Sequence, residues 1–399
     1  MQSGLLESFL GALQATISII MVIFYGVVAT QFKLLDGPAS KKISEVCIKL
    51  FLPALLITKV GNELHADTAT RYIPILIWAI FYALVSIAIG LLVVRIFSFP
   101  PYVTPALAFN NTTSLPLLLI ESLGSTGILD RLLLDDDNTR DAINRAQAYF
   151  LVCAIVGNCL TFAVGPRLID AEFASDGEEG DAEEHEHDSG EPPRERDGEA
   201  EQNRQDIDDL TSLLPGPNFI NAPLIGAVVG AVIGLTPPLH RLFFNDSRHG
   251  GLFNAWLTTS LENIGELFVT LQVVVVGVSL SSSLRKMKRG EDNGLPWIPI
   301  ACILLVRFVL WPAVSIAMIW GLATKTRLLP QDPMLCFAMM LMPTGPPAIK
   351  LVAMAKVHGV GAHEEMTLSK LLTLSYAVSP ILALTVVGSL YASEAAMVN

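Results

Sequence analysis

The chain reads as long apolar stretches separated by short polar ones. Ten such stretches can be drawn, at residues 8–32, 43–60, 72–97, 102–124, 146–168, 218–237, 257–282, 297–322, 333–357 and 369–392. The clearest, "LIWAIFYALVSIAIGLLVV" at 76–94, contains no charged residue. A run of about 18 apolar residues is long enough to cross a bilayer. In lipid only a helix lets such a segment pair its own backbone. The pattern predicts an all-α integral membrane protein with ten transmembrane helices. No basic leader or A-x-A site accompanies the first stretch, so it is expected to remain as a span.

One segment breaks the pattern. Residues 170–215 hold 18 of the 38 acids and 3 of the 26 bases, so the net charge of −12 arises there and the remainder is slightly basic. Dense like charge with few apolar groups cannot repay the entropy of ordering. The expected organisation is a first five-helix repeat at 1–168, an acidic disordered loop at 169–217 and a second five-helix repeat at 218–399.

The halves carry matching words in the same order. "ISEVCIKL" from Ile43 matches "IGELFVTL" from Ile264, "YIPI" at Tyr72 matches "WIPI" at Trp297, and "VSIA" recurs at Val85 and Val314. Pro101 and Pro116 match Pro333 and Pro346, and the offsets run 221, 225, 229, 232 and 230. With five spans per copy, the second copy enters the membrane from the opposite side. Such inverted repeats build many secondary transporters.

The fourth and ninth stretches are interrupted. In the fourth, Asn110, Asn111, Thr112, Thr113 and Ser114 run into Pro116; in the ninth, "MPTGPPAIK" places Pro343, Thr344, Gly345, Pro346 and Pro347 at the corresponding point. Proline removes a backbone donor and clashes with the preceding turn. Paired interruptions in two halves point to a transporter's binding site. The spans are expected to unwind and meet near the midplane. The start of each second half-helix, with unpaired N–H groups and a positive dipole end, suits a carboxylate. Asn110, Asn111, Thr112, Ser114, Thr344 and Gly345 either pair the broken backbone or also bind substrate. Either Lys350 attracts the anion while Glu121 pairs with it or carries a proton, or both side chains snorkel toward the interfaces. Glu45, Lys49, Glu262, Glu266 and Arg307 are expected at helix ends or in pairs.

Composition sharpens the class. The chain of 399 residues is 52% hydrophobic and 16% charged, against about 25% charge in soluble domains. Mean hydropathy is +0.52. Cys47, Cys153, Cys159, Cys302 and Cys336 all lie in apolar runs and read as small hydrophobes. His185 and His187 fall in the acidic loop, where solvation is the expectation. No metal, no cofactor and no nucleic acid is expected, and no hydrolase, P-loop or dinucleotide motif is present. The cluster "RKMKR" at 285–289 puts its side, and the acidic loop, in the cytosol. Asn245-Asp-Ser, a glycosylation sequon, then faces the other side.

Three stretches also resemble a known family. "NAPLIGAVVGAVIGLTPPLHRLFF" from Asn221, "FNNTTSLPLLLIESLG" from Phe109 and "MPTGPPAIKLVAMAKVHG" from Met342 are similar to the sixth, fourth and ninth spans of the auxin efflux carrier family, in its PIN-likes branch. The wording "GPPAIKLVAM" resembles fungal members. The resemblance covers most of the chain outside the acidic loop. It implies two inverted five-helix repeats whose fourth and ninth helices cross at Pro116 and at Pro346 or Pro347. It implies a scaffold of helices 1, 2, 6 and 7, homodimerisation through that scaffold, and the endoplasmic reticulum rather than the plasma membrane. The family's asparagine five residues before the helix-four proline corresponds to Asn111. Where plant PIN-likes often have a second asparagine two residues before it, this chain has Ser114.

The expected function is carriage of small amphipathic organic anions, auxin-like carboxylates such as indole-3-acetate, by elevator-type alternating access. The alternatives are a sodium- or proton-coupled symporter of bile-acid-carrier type and a non-transporting scaffold or receptor acting through the acidic loop. An enzyme is not expected.

Overall fold

The computed structural model describes residues 2–65, 69–100, 102–134, 138–181, 222–288, 296–326, 328–348, 351 and 362–398. Among them the regular structure is helical, apart from one isolated bridge between Asn110 and Pro347. Helix α1 spans Gln2–Gln31. Helix α2 (Gly37–Val46) starts at Asp36, whose side chain accepts from the Ala39 N–H at 2.8 Å. Helix α3 (Leu52–Glu63) follows through a wide turn at Cys47–Phe51. Pro53 explains the turn: it cannot donate to the carbonyl four residues back, and the helix loosens there. The same cause acts at Pro312. A wide turn at Val306–Leu310 joins α11 (Trp297–Leu305) to α12 (Trp311–Lys325).

Helix α4 spans Ile73–Phe97. The fourth apolar stretch is two short helices, α5 (Val103–Ala108) and α6 (Ser114–Ser125). Helix α7 (Thr139–Asp181) continues past residue 169, where composition placed the start of the acidic loop. Leu168, Ala171, Glu172 and Ala174 favour helix, and local propensity carries it onward. Residues 182–217 of that loop lie outside the described residues. Helix α8 (Ala222–Leu235) turns by 104° into α9 (Pro237–Phe244). Then come α10 (Thr259–Lys288), α11, α12, α13 (Pro333–Leu341), α14 (Ala362–Ala377) and α15 (Leu382–Val398). By length and composition five described helical stretches can cross a membrane, or six if the bent α8–α9 pair counts as one.

Burial inverts the pattern of a soluble protein. Every residue of α5 and of α13 is buried, so the interrupted helices form the centre. Leu76, Ile77, Ile80, Phe81 and Leu84 of α4 are exposed, as are Ile225, Val228 and Val232 of α8. A wide outward apolar belt of this kind is solvated by lipid tails.

Two helix pairs touch through their backbones. A Cβ on Gly277 of α10 would stand 1.9 Å from the Ile23 carbonyl oxygen of α1, and one on Gly26 would stand 2.1 Å from that of Val274. Gly226, Gly230 and Gly234 give α8 a bare stripe against Pro53, Leu56 and Leu64 of the α3 segment. In lipid, where apolar side chains gain little by leaving the solvent, small residues at this spacing drive helix packing. Gly277→Leu is expected to force α1 from α10 and cost about 2–3 kcal/mol. A thermal melt in detergent close to the native one would refute this. Arg285 closes the other end of the pair, donating to the Thr30 carbonyl at 2.9 Å at the end of α1, where cations are favoured.

Candidate functional site

The two interruptions cross. Phe109–Thr113 leaves the helical path between α5 and α6, and Met342–Ala348 does so after α13. They pass antiparallel: the Asn111 N–H donates to the Pro346 carbonyl at 3.1 Å, and the Ala348 N–H to the Phe109 carbonyl at 2.9 Å. Two non-helical segments thus satisfy each other where lipid offers nothing. Gly345, at φ +95°, supplies the left-handed residue that the second segment needs.

The carbonyls freed at the end of α13 are each accounted for. Trp78 Nε1 donates to Met339 at 2.8 Å and Ser315 Oγ to Met340 at 2.7 Å. Thr344 Oγ1 donates to Leu341 at 2.7 Å. Asn110 Nδ2 donates to Met342 at 2.8 Å and Thr344 at 3.1 Å, and Arg307 Nη1 to Pro343 at 3.2 Å. Asn110 and the Thr344 hydroxyl therefore serve the broken backbone.

Asn111 is arranged differently. Its Nδ2 donates to Tyr376 Oη at 2.8 Å, and its Oδ1 accepts from the Thr113 N–H at 3.3 Å. Tyr376 and Ser114 hold the amide at the wall of a cavity of about 60 Å³. That cavity is lined by polar residues, Asn110 to Ser114 with Asn158 and Gln272, and by apolar ones, among them Ile48, Leu52 and Phe268. Ser114 opens α6 and lines the cavity, so the start of that helix lies at the same wall. Polar donors and apolar side chains in one cavity suit a carboxylate with an apolar body.

Pro116 occupies the third position of α6, downstream of the crossing. A first-turn N–H has no helical acceptor, so proline starts this half-helix. Pro346 and Pro347 lie at the crossing itself. Thr344 and Gly345 are not among the cavity's lining residues. Lys350 lies outside the described residues. Glu121 lines a separate cavity of about 210 Å³ with Lys59, Arg140, Asn144, Gln147 and Glu266. Glu45 pairs with Lys49 one turn on.

Sequence reading missed the support around the crossing. Asp332 caps α13, accepting from the Met334 and Leu335 N–H groups at 2.9 and 3.2 Å. Its other oxygen accepts from Arg145 Nε at 3.2 Å and Tyr149 Oη at 2.7 Å, which ties α7 to the start of α13. The signal was present in Asp332-Pro333 ahead of an apolar run, an N-cap with proline at the first helical position. Tyr376, Trp78 and Ser315 carried no such signal, because their partners are far away in sequence.

A helical membrane protein centred on two interrupted, mutually satisfied helices has the build of a transporter. The profile of a membrane transport protein family matches residues 12–387, and the chain belongs to that family, the auxin efflux carrier family. It is 23% identical to an uncharacterized transporter of Schizosaccharomyces pombe, over 92% of this chain and 91% of the relative. It is 21% identical to Protein PIN-LIKES 5 of Arabidopsis thaliana over 94% and 96%, and 28% identical to Protein PIN-LIKES 7 of that plant over 43% and 40%. The protein is a multi-pass membrane transporter, and its family is one of transporters, not enzymes.

Proposed function

We propose that the protein carries small amphipathic organic anions, auxin-like carboxylates such as indole-3-acetate, by elevator-type alternating access. In this reading the chain makes ten spans as two inverted five-helix repeats joined by a cytosolic acidic loop, in the endoplasmic reticulum membrane. One observation carries it: the Asn111 amide and the start of α6 converge on a half-apolar cavity beside the crossing. The backbone contacts of α1 with α10 and of α3 with α8 support a rigid scaffold.

The test is uptake of labelled carboxylates by liposomes containing the native protein or Asn111→Ala. Loss of a hydrogen bond to a charged group predicts an apparent affinity weaker by about tenfold or more, with the protein still folded. Equal uptake by both would remove Asn111 from the site. Uptake that requires sodium or a proton gradient would favour the coupled symporter. A protein that transports nothing and loses a binding partner on deletion of residues 182–217 would be a scaffold.

A further inference from the structure

We propose that Arg307 is a built-in cation that positions the crossing, its guanidinium joining the carboxyl ends of both interrupted helices. Arg307 is 0% exposed and is among the largest fully buried side chains of the described residues. Nη1 donates to the Pro343 carbonyl at 3.2 Å, just past the end of α13. Nη2 reaches the Ala106 carbonyl at 3.4 Å, in the last turn of α5. Both acceptors belong to helix C-termini, where the aligned peptide dipoles concentrate negative charge.

Among the described residues no carboxylate forms an ion pair with it. An isolated charge at this depth is costly, so something else must hold it. The two helix ends do so. A guanidinium has diverging donors that span two acceptors, whereas an ammonium is a single point. The wide turn at Val306–Leu310 carries Arg307, and such turns recur at functional sites. Ion-coupled carriers place a bound cation at unwound carbonyls and half-helix C-termini. Here the cation is covalently part of the chain. The crossing therefore assembles without a bound metal ion.

Only the uptake readout of this proposal rests on the carboxylate reading. The experiment compares native protein with Arg307→Ala, Arg307→Gln and Arg307→Lys. Thermal unfolding in detergent and carboxylate uptake are measured in sodium and choline buffers, with and without guanidinium far below denaturing concentrations. Arg307→Ala should lose most uptake and unfold about 5 °C or more lower. Guanidinium should restore both several-fold in that variant and leave the native protein unchanged. Lys should exceed Gln in both readouts. The proposal is overturned if Gln equals or exceeds Lys, if guanidinium rescues neither readout, or if native uptake requires sodium. Should Arg307→Ala not fold, the Gln and Lys comparison decides. A native protein that takes up no carboxylate, with guanidinium still raising the unfolding temperature of Arg307→Ala, would sink the substrate reading and sustain this one.

Discussion

Asp332→Ala is expected to lose most of the folded protein. The carboxylate is the buried partner of Arg145, with the side chains 3% and 10% exposed. Removing one member of a buried pair takes the carboxylate from the other charge, at up to about 3–5 kcal/mol. The variant also loses the cap of α13, worth about 1 kcal/mol. Together these approach the whole stability of a small domain. Asp332→Asn keeps an acceptor for the cap and should fall between the two. Thiol labelling during a thermal ramp reports it well, because Cys336 is buried on α13 and Cys153 on α7. An Asp332→Ala ramp that overlays the native one would mean the pair contributes little.

Asn110→Ala should rank next and should differ in kind from Asn111→Ala. The Asn110 amide serves two buried carbonyls, Met342 and Thr344. Leaving buried acceptors unpaired costs about 1–3 kcal/mol each. Asn110→Ala is therefore expected to lower the unfolding temperature and the maximal transport rate, with little change in apparent affinity. Asn111→Ala should chiefly weaken apparent affinity, with a smaller loss of stability from the Tyr376 hydroxyl it leaves. A pair of variants that both shift affinity alone would place the two amides in one role.

Much of this was legible in the sequence, for identifiable reasons. Periodic structure needs only local information, so the apolar stretches located the described helices. Pro343, Gly345, Pro346 and Pro347 forced an interruption wherever the rest of the chain lay. Pro116 misled about place: a proline that begins a helix and one that breaks it look alike without the flanking dihedrals. The roles of Asn110 and Asn111 could not be separated, because the difference lies in Tyr376 and in the α13 carbonyls, more than two hundred residues away. Arg307 read as a helix-end charge, since nothing nearby in sequence shows two distant carbonyls converging on it.

The bare glycine faces have one more consequence. Where α10 meets α1 and α8 meets α3, main chain presses on main chain. No rotamer stands between them to readjust, so a shear of one helix along the other would collide within a fraction of a residue's rise. Each of these two helix pairs is therefore locked in register and can move only as one body.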